Sequence, residues 1–378
     1  MTEKLYYIDS YIKEFDASVL SCESRGEFFD TVLDKTAFFP EAGGQYSDTG
    51  YIGEVYVFDV KEMDGVIHHY TKEPINVNNY VHCCLNFEER FDKMQQHTAE
   101  HLISGVLHSL YGAENTGFHL GAEEVTFDTS IPITKDMLAQ VEEKVNLAIF
   151  ENVRVSAYFP SVEKLKIIEY RSKLDLTENV RIVNIEGYDS CACCAPHLNY
   201  TGEIGFIKLI DSVSFHSGSR IRMLAGKRAY KYVNSIIGEA ASVSVMLSSP
   251  IDSFSADVGN LRAQKEALDK RIEEMGVAVV KALADLYSGE RVVCYPFFDT
   301  SMLRAYANFV SHKVNDKLII LSGNDGEIRY LVYYNSPEIV SLVKNANQAL
   351  SGRGGGRAPM ATGTFFADLE VVKKYFEE

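Results

Sequence analysis

Two short segments of this chain carry side chains that could share one metal ion. In the first, His97-Thr98-Ala99-Glu100-His101, the histidines are four residues apart, so on a helix both imidazoles face the same side. The second, Cys193-Cys194-Ala195-Pro196-His197, places a thiol near an imidazole. Zinc prefers such nitrogen and sulfur ligands in a tetrahedral arrangement, and a zinc ion with one position open to water supports hydrolysis. The predicted metal ligands are His97, His101, Cys193 and His197.

The cysteine content favours metal ligation over disulfide bonding. The chain has seven cysteines, and Cys191, Cys193 and Cys194 fall within four positions beside His197. The first residues show no basic segment followed by an apolar stretch, so no secretory signal is expected. A cysteine cluster in such a chain is typical of a metal site or of thiol chemistry.

Length and charge limit the classes of function. With 378 residues the chain can form two or three domains, each with its own core. No run approaches about 18 apolar residues, so we expect a soluble, cytoplasmic protein. The net charge of −16 opposes broad attraction to nucleic acid, which depends on lysine and arginine. Any contact with RNA is therefore expected to be local.

Hydrophobic patterns predict an α+β protein with four consecutive parts. Short apolar runs separated by Gly, Asp and Asn predict a small β-barrel, and apolar residues at helical spacing predict a long helix that carries His97 and His101 and ends near Gly112. Short strands around Cys193 and His197 predict an antiparallel sheet with helices packed on it. The parts are a β-barrel (1–86), a metal-binding α+β domain (87–236), a helical, coiled-coil-like linker (237–289) and a C-terminal α/β domain (290–378).

The helical linker contains a heptad pattern between Val258 and Leu286. Apolar residues occupy most seam positions, although Lys265 interrupts one row. The pattern fits either a helical hairpin or contact with a second copy of the chain. A homodimer through this linker or through the C-terminal domain is therefore one expectation.

Two glycine-rich segments could bring backbone close to a ligand. Phe38–Gly50 contains the pair Gly43-Gly44, which also fits an ordinary barrel turn. The second segment, Ser351–Gly363, contains Arg353-Gly354-Gly355-Gly356-Arg357, where backbone N–H groups lie between two guanidinium groups. We predict a phosphate-binding loop there, with a flexible linker as the alternative.

The order of these motifs resembles a known family. Phe39–Gly50, His97–His101, Cys193–His197 and Thr201–Gly205 follow one another as in the editing domains of alanyl-tRNA synthetases and in the free-standing AlaX-type trans-editing proteins. The C-terminal Gly-Arg segment is similar to that of the DHH-associated domain in the long form of AlaX. The resemblance covers nearly the whole chain.

The resemblance implies a zinc-dependent hydrolase that removes a wrongly attached amino acid from tRNA(Ala). Serine is the chief expected substrate, with glycine as a second candidate, and Arg353–Arg357 would contact the tRNA. The chain begins about where the editing relatives begin, so it is expected to edit without charging tRNA. Where synthetases have Cys-Gly-Gly-Thr-His, this chain has extra thiols, and Cys191 or Cys194 could replace a ligand.

Further side chains are candidates for roles around the metal. The residues Asn115-Thr116-Gly117-Phe118-His119, just after the predicted helix that carries His97 and His101, are candidates for reading the substrate hydroxyl, with Thr116 and His119 selected from them. Gln45 is expected to face the same cavity. Glu100 is a further candidate for a catalytic or substrate-binding role, and both Glu100 and Asp189 could accept hydrogen bonds from ligating imidazoles and so orient them. Exposed, solvated carboxylates are the alternative for both.

Two other functions fit part of the pattern. His97-x-x-Glu100-His101 also matches the inverted zinc-peptidase motif, in which the glutamate is the base and Glu169 or Glu178 would be the third ligand. That interpretation leaves Cys193, His197 and both glycine-rich segments without a role. The other alternative is a non-catalytic tRNA-binding protein with a degenerate site.

Overall fold

The computed structural model describes residues 1–121, 124–172 and 179–377. Helices and several sheets are mixed along the chain, which confirms the α+β class. Its contacts group into two units, Met1–Ser242 and Val243–Glu378. The finer division at residues 86, 236 and 289 stays a prediction. Within the described ranges, no helix is both long and apolar enough to cross a membrane.

The first 85 residues form mainly β-structure. Six antiparallel strands close a barrel in the order β2-β3-β7-β6-β5-β8, and short β1 pairs with β4 beside it. The barrel core contains Val19, Leu33, Val57 and Ile67, all of them buried. The strands are β1 (Glu3–Lys4), β2 (Glu14–Ser24), β3 (Phe29–Leu33), β4 (Lys35–Thr36), β5 (Gly50–Ile52), β6 (Val55–Met63), β7 (Val66–Thr71) and β8 (Tyr80–Leu85).

The long helix predicted from periodicity is α1 (Phe87–Tyr111). It ends at Gly112, whose φ of 65° is the left-handed conformation that glycine adopts without strain. A second helix, α2, begins after Thr134, whose side chain accepts a hydrogen bond from the Met137 N–H. Both helices contribute to one apolar core with two small sheets.

Those sheets complete the first unit. One has the order β14-β15-β10-β9 and the other β11-β12-β13. The elements are β9 (Asn115–Leu120), β10 (Val125–Thr129), α2 (Lys135–Glu151), β11 (Val155–Tyr158), α3 (Val162–Leu165), β12 (Ile182–Ile185), β13 (Asp189–Ala192), β14 (Ile207–Phe215), β15 (Gly218–Ala225) and α4 (Gly226–Leu247).

The second unit is a five-stranded sheet, order β16-β17-β18-β20-β19, with helices on it. Its long helix α5 buries Val280 and Ala284, whereas the heptad-seam residues Leu268, Ile272 and Met275 are exposed. The elements are α5 (Phe254–Asp285), β16 (Val292–Cys294), α6 (Thr300–Val310), β17 (Lys317–Asn324), β18 (Glu327–Tyr334), α7 (Ile339–Ala349), β19 (Arg353–Arg357), β20 (Met360–Phe365) and α8 (Leu369–Glu377).

The glycine-rich run in this unit is a strand, and the predicted loop is wrong. β19 pairs antiparallel with β20 and lies at the end of the sheet. A Cβ at Gly354 would lie 2.4 Å from the Cα of Gly363, its partner on β20, and 2.7 Å from the Tyr330 hydroxyl, so this pair can be this close only without side chains. Close strand packing therefore accounts for the glycine at this position.

A buried ion pair joins α1 to the segment that follows β4. Arg90 is 1% exposed, and its guanidinium donates to Asp48 Oδ2 and to the Ala37 and Ser10 carbonyls. The same Asp48 oxygen accepts from the Phe39 N–H at 2.7 Å. Through Asp48, the segment that contains Phe39 and leads to the glycine pair is thereby anchored to α1.

Arg90→Met is expected to destabilise the first unit by about 3–5 kcal/mol, because it leaves the Asp48 charge buried without its cation. Urea unfolding followed by circular dichroism measures this. Arg262→Met, which breaks an exposed pair with Glu266, serves as the control and should change little. Equal effects of the two substitutions would contradict the assigned role.

Candidate metal centre

The structure brings the four predicted metal ligands together. His97 and His101 lie on α1, while Cys193 and His197 lie on the loop after β13. One ligand atom from each lies within 4.8 Å of the others. The Cys193 Sγ is 3.6 Å from His97 Nε2 and 3.4 Å from His197 Nε2.

His97 and His197 each contact an oxygen atom through Nδ1, the ring nitrogen that does not face Cys193. His97 Nδ1 lies 2.9 Å from Gln45 Oε1, and His197 Nδ1 lies 3.1 Å from Thr98 Oγ1. With these oxygens as acceptors, each Nδ1 carries the proton and each Nε2 keeps the lone pair that can bind metal. The partners therefore select the ligating nitrogen.

Asp189, which the sequence predicts to orient a ligating imidazole, lies within ion-pair distance of His101, although the described residues form no hydrogen bond to the His101 Nδ1. The His101 Nδ1 lies 3.4 Å from Asp189 Oδ2, and Arg171 donates to both Asp189 oxygens at 2.8 and 2.9 Å. A Cβ at Gly105 would lie 2.6 Å from the Asp189 Cβ. The absence of a side chain at Gly105 thus allows α1 to approach β13 closely enough for this contact.

The paired glycines of the first unit form the turn that presents Gln45. Gly43 and Gly44 have φ of 62° and 79°, and Ala42 and Gln45 exchange backbone hydrogen bonds across them. This pattern suits a two-residue hairpin turn with positive φ at both positions. A Cβ on Gly44 would lie 2.7 Å from the Phe118 carbonyl oxygen, so glycine also permits contact with β9.

The Cys193–His197 loop is held by its own main chain. Arg181, which is buried, donates to the Cys193 and Ala195 carbonyls at 3.1 and 2.7 Å. Ser10 donates to the His197 carbonyl at 2.8 Å. These contacts fix the loop independently of any ion, which preorganises the two ligands.

The electrostatics of the cluster suit a cation. Burial by itself would raise the pKa of the Cys193 thiol, but His97, His197 and His101 together lower it well below its ordinary value. Burial lowers the pKa of His197 to about 3, so this ring is neutral near pH 7. Thiolate and neutral imidazole are the forms that bind metal. Burial by itself would lower the pKa of His101, but Cys191 and Asp189 raise it well above its ordinary value, so this ring must lose its proton when a cation binds. Three nitrogens and one sulfur fit zinc.

The two extra thiols differ in their surroundings. Cys191 lies near His101 and Asp189 and forms a second potential ligand group with them. Cys194 packs with Tyr6 and Phe39, and burial raises the pKa of its thiol to about 11. Neither belongs to the four-residue cluster within the described part of the chain.

A cavity of about 360 Å³ opens beside the cluster. His97, His101 and Cys193 line it, together with Glu100, Asn115 and Phe118. Glu100 is only 4% exposed, so it is not a solvated surface carboxylate. Its hydrogen-bond partners are Ser104 and Asn115 rather than an imidazole, which corrects the predicted orienting role.

Three predicted substrate-reading residues lie outside this lining. Gln45 is buried behind His97. Successive strand residues face opposite sides of a sheet, so His119 lies on the face of β9 opposite to Phe118. There it lines a groove with Arg220 and Arg222. Thr116 is exposed, since the β9–β10 register shifts between Asn115 and Gly117 and turns Asn115 inward instead.

Comparison with known proteins agrees with these motifs. The family described as the threonyl and alanyl tRNA synthetase second additional domain matches residues 180–223, a range that includes Cys193 and His197. The alanyl-tRNA editing protein AlaX-L of Pyrococcus horikoshii is 28% identical over 98% of this chain and 96% of its own length. The chain is thus similar to AlaX-type alanyl-tRNA editing proteins over nearly its whole length.

Other relatives match over comparable ranges. The alanyl-tRNA editing protein Aarsd1 of Rattus norvegicus is 26% identical over 92% of this chain and 90% of its own. An alanine–tRNA ligase of Ignicoccus hospitalis is 28% identical over 98% of this chain but only 42% of the ligase. The AlaX-type match therefore spans both structural units.

The metallopeptidase alternative finds less support in the described residues. Glu169 is exposed and is not part of the four-residue cluster. Glu178 lies outside the described residues. The carboxylate of Glu100 accepts hydrogen bonds from Ser104 and Asn115, while Cys193 and His197, which the alternative does not use, lie with the histidines.

The cluster predicts one zinc ion per chain that depends on Cys193. Cys193→Ser should weaken zinc binding by more than about 100-fold, since even partners of ligands typically contribute 10- to 100-fold. Elemental analysis and competition with a chromogenic chelator measure the affinity.

Cys194→Ser is the matched control, because its thiol is adjacent in sequence but packs against Tyr6 and Phe39. It should keep one equivalent of zinc. Comparable loss in both variants would show that the ligand set is assigned incorrectly.

Proposed function

We propose that this protein is a zinc-dependent hydrolase that deacylates tRNA(Ala) mischarged with serine, with glycine as a second substrate. The observation that carries the proposal is the convergence of His97, His101, Cys193 and His197 at the wall of a cavity, in a chain whose relatives are named alanyl-tRNA editing proteins. The four ligands supply at least the three that catalytic zinc sites use.

The chemistry divides between the ion and the chain. When bound, zinc polarises an ester carbonyl and lowers the pKa of a coordinated water. The chain holds the ligands in place: Gln45 and Thr98 fix the tautomers of His97 and His197, and Asp189 lies within ion-pair distance of His101. Arg181 fixes the loop between the two remaining ligands.

Discrimination between serine and alanine would depend on individual polar side chains of the cavity wall, among which are Asn115, Ser172 and Asn179. A site that hydrogen-bonds a hydroxyl rejects the analogue without it far more strongly than an apolar pocket rejects an added hydroxyl. The polar groups beside the metal ligands suit this kind of recognition. An editing site can therefore recognise the serine hydroxyl, which an apolar aminoacylation pocket cannot exclude strongly.

Contacts outside the cavity belong to the same proposal. Arg353 and Arg357 are exposed at the ends of β19 and can meet tRNA phosphates, with the backbone of Gly354, Gly355 and Gly356 between them. The exposed seam of α5, which includes Leu268, Ile272 and Met275, is our candidate for contact with a second copy of the chain.

Purified protein is expected to release serine from Ser-tRNA(Ala) at least about 100-fold faster than alanine from Ala-tRNA(Ala), because only serine offers the hydroxyl. Gly-tRNA(Ala) forms a third arm. Release of the labelled amino acid measures each rate, with and without a chelator. Zinc added after chelation should restore activity.

Cys193→Ser should abolish this release, whereas Cys294→Ser, at a half-buried thiol of the second unit, should not affect it. Chelator-resistant hydrolysis, or equal loss of serine and alanine, would contradict the proposal. Hydrolysis of peptides in place of aminoacyl-tRNA would favour the peptidase alternative, and tRNA retention without any hydrolysis would favour a non-catalytic binder.

A further inference from the structure

One buried acid on the cavity wall has no cationic partner in the described structure. Glu100 is 4% exposed, and none of the ion pairs among residues 1–121, 124–172 and 179–377 includes it. The nearby guanidinium of Arg171 is engaged by both oxygens of Asp189. Burying a charge without a partner is costly, so a cation that enters the cavity would be favoured beside this carboxyl group.

The hydrogen bonds of Glu100 leave an acceptor available. Ser104 and Asn115 both donate to its Oε1, and no described residue donates to Oε2. Because the Asn115 amide nitrogen must face Glu100 to donate, its Oδ1 is turned away. This Oδ1 is buried without a hydrogen-bond partner. Glu100 Oε2 and Asn115 Oδ1 are therefore two acceptors to which no described residue donates a hydrogen bond.

The position of Glu100 relates these acceptors to the metal. Glu100 is three residues after His97 and immediately before His101, so it lies on the helical face that carries both ligands. All three side chains line the same cavity. In an aminoacyl ester the α-nitrogen is bonded to the carbon next to the carbonyl. A substrate whose carbonyl lay beside the four ligand residues would therefore bring its ammonium group close to them, on the cavity wall that Glu100 and Asn115 share.

We propose that Glu100 and Asn115 bind the α-ammonium group of the aminoacyl ester and so select substrates with a free amino group over N-acylated ones. An ammonium group offers three donors and one positive charge, which match the free acceptors and the carboxylate. The inference rests on the proposed function and specifies the substrate class: an ester of an α-amino acid whose nitrogen is unmodified.

The first experiment uses the unaltered protein and stable analogues. Two amides of 3′-amino-3′-deoxyadenosine are compared as inhibitors of Ser-tRNA(Ala) deacylation, one carrying serine and the other carrying 3-hydroxypropanoic acid, which lacks only the amino group. The seryl amide should bind about 10- to 100-fold more tightly, the range expected for hydrogen bonds to charged groups. Equal inhibition would overturn the inference.

The second experiment compares Ser-tRNA(Ala) with N-acetyl-Ser-tRNA(Ala) in Glu100→Gln. The variant should lose about 10- to 100-fold in kcat/KM on the free-amine substrate and change little on the acetylated one, so the preference collapses. Glu100→Asp should restore part of it. Glu88→Gln, the same change at an exposed position on α1, is the matched control and should keep the full preference.

Zinc content and the unfolding midpoint of each variant separate recognition from structure. Loss of both substrates together with loss of zinc would assign Glu100 a structural role and overturn the inference. If deacylation by the unaltered protein shows no preference for the free amine, the inference fails while the proposed function stands. If the unaltered protein deacylates neither substrate and binds neither amide, the proposed function itself fails.

Discussion

The buried pair between Arg90 and Asp48 is the constraint on which the first unit depends. It links the metal helix to the barrel, and the same carboxylate accepts from the Phe39 N–H just before the glycine turn. Gln45 can hold His97 only because this turn is fixed relative to α1. An apolar interface would also bury surface, but it would not specify position as a charged, directional contact does.

The ligands illustrate how two parts of the fold produce one site. The helix contributes two imidazoles by its periodicity alone, whereas the loop acquires its shape from Arg181, Ser10 and the strand before it. The pKa changes of Cys193 and His197 follow from burying these groups together. Geometry and protonation state therefore have the same cause, which is the packing of the loop on α1.

The sequence predicted those features that depend on local pattern. Periodicity located α1, Gly112 marked its end, and Thr134 capped α2. Histidine and cysteine spacing indicated four residues that do lie together. Periodicity, capping and the spacing within each pair need only neighbouring residues, whereas the union of the two distant pairs was inferred from the ligand preference of zinc and from the order of the motifs.

Features that depend on tertiary contacts could not be predicted from the sequence. Arg90 looks like a solvent-facing helix residue until its carboxylate partner is known. The prediction for Thr116 is wrong because the bulge that turns Asn115 inward depends on the pairing of β9 with β10. The prediction for His119 is wrong because the face of β9 on which the cavity lies is set by tertiary packing. The glycine run of β19 was mistaken for a loop, since the Tyr330 side chain that excludes a Cβ comes from another strand.

The strand β19 has a consequence for the behaviour of the protein in solution. It lies at the end of its sheet, and unpaired backbone groups on an edge strand invite association with other chains. Its three glycines have little preference for extended structure, and the guanidinium groups of Arg353 and Arg357 repel the same segment of another copy. The composition that we propose for contact with RNA phosphates would thus also protect this edge against aggregation.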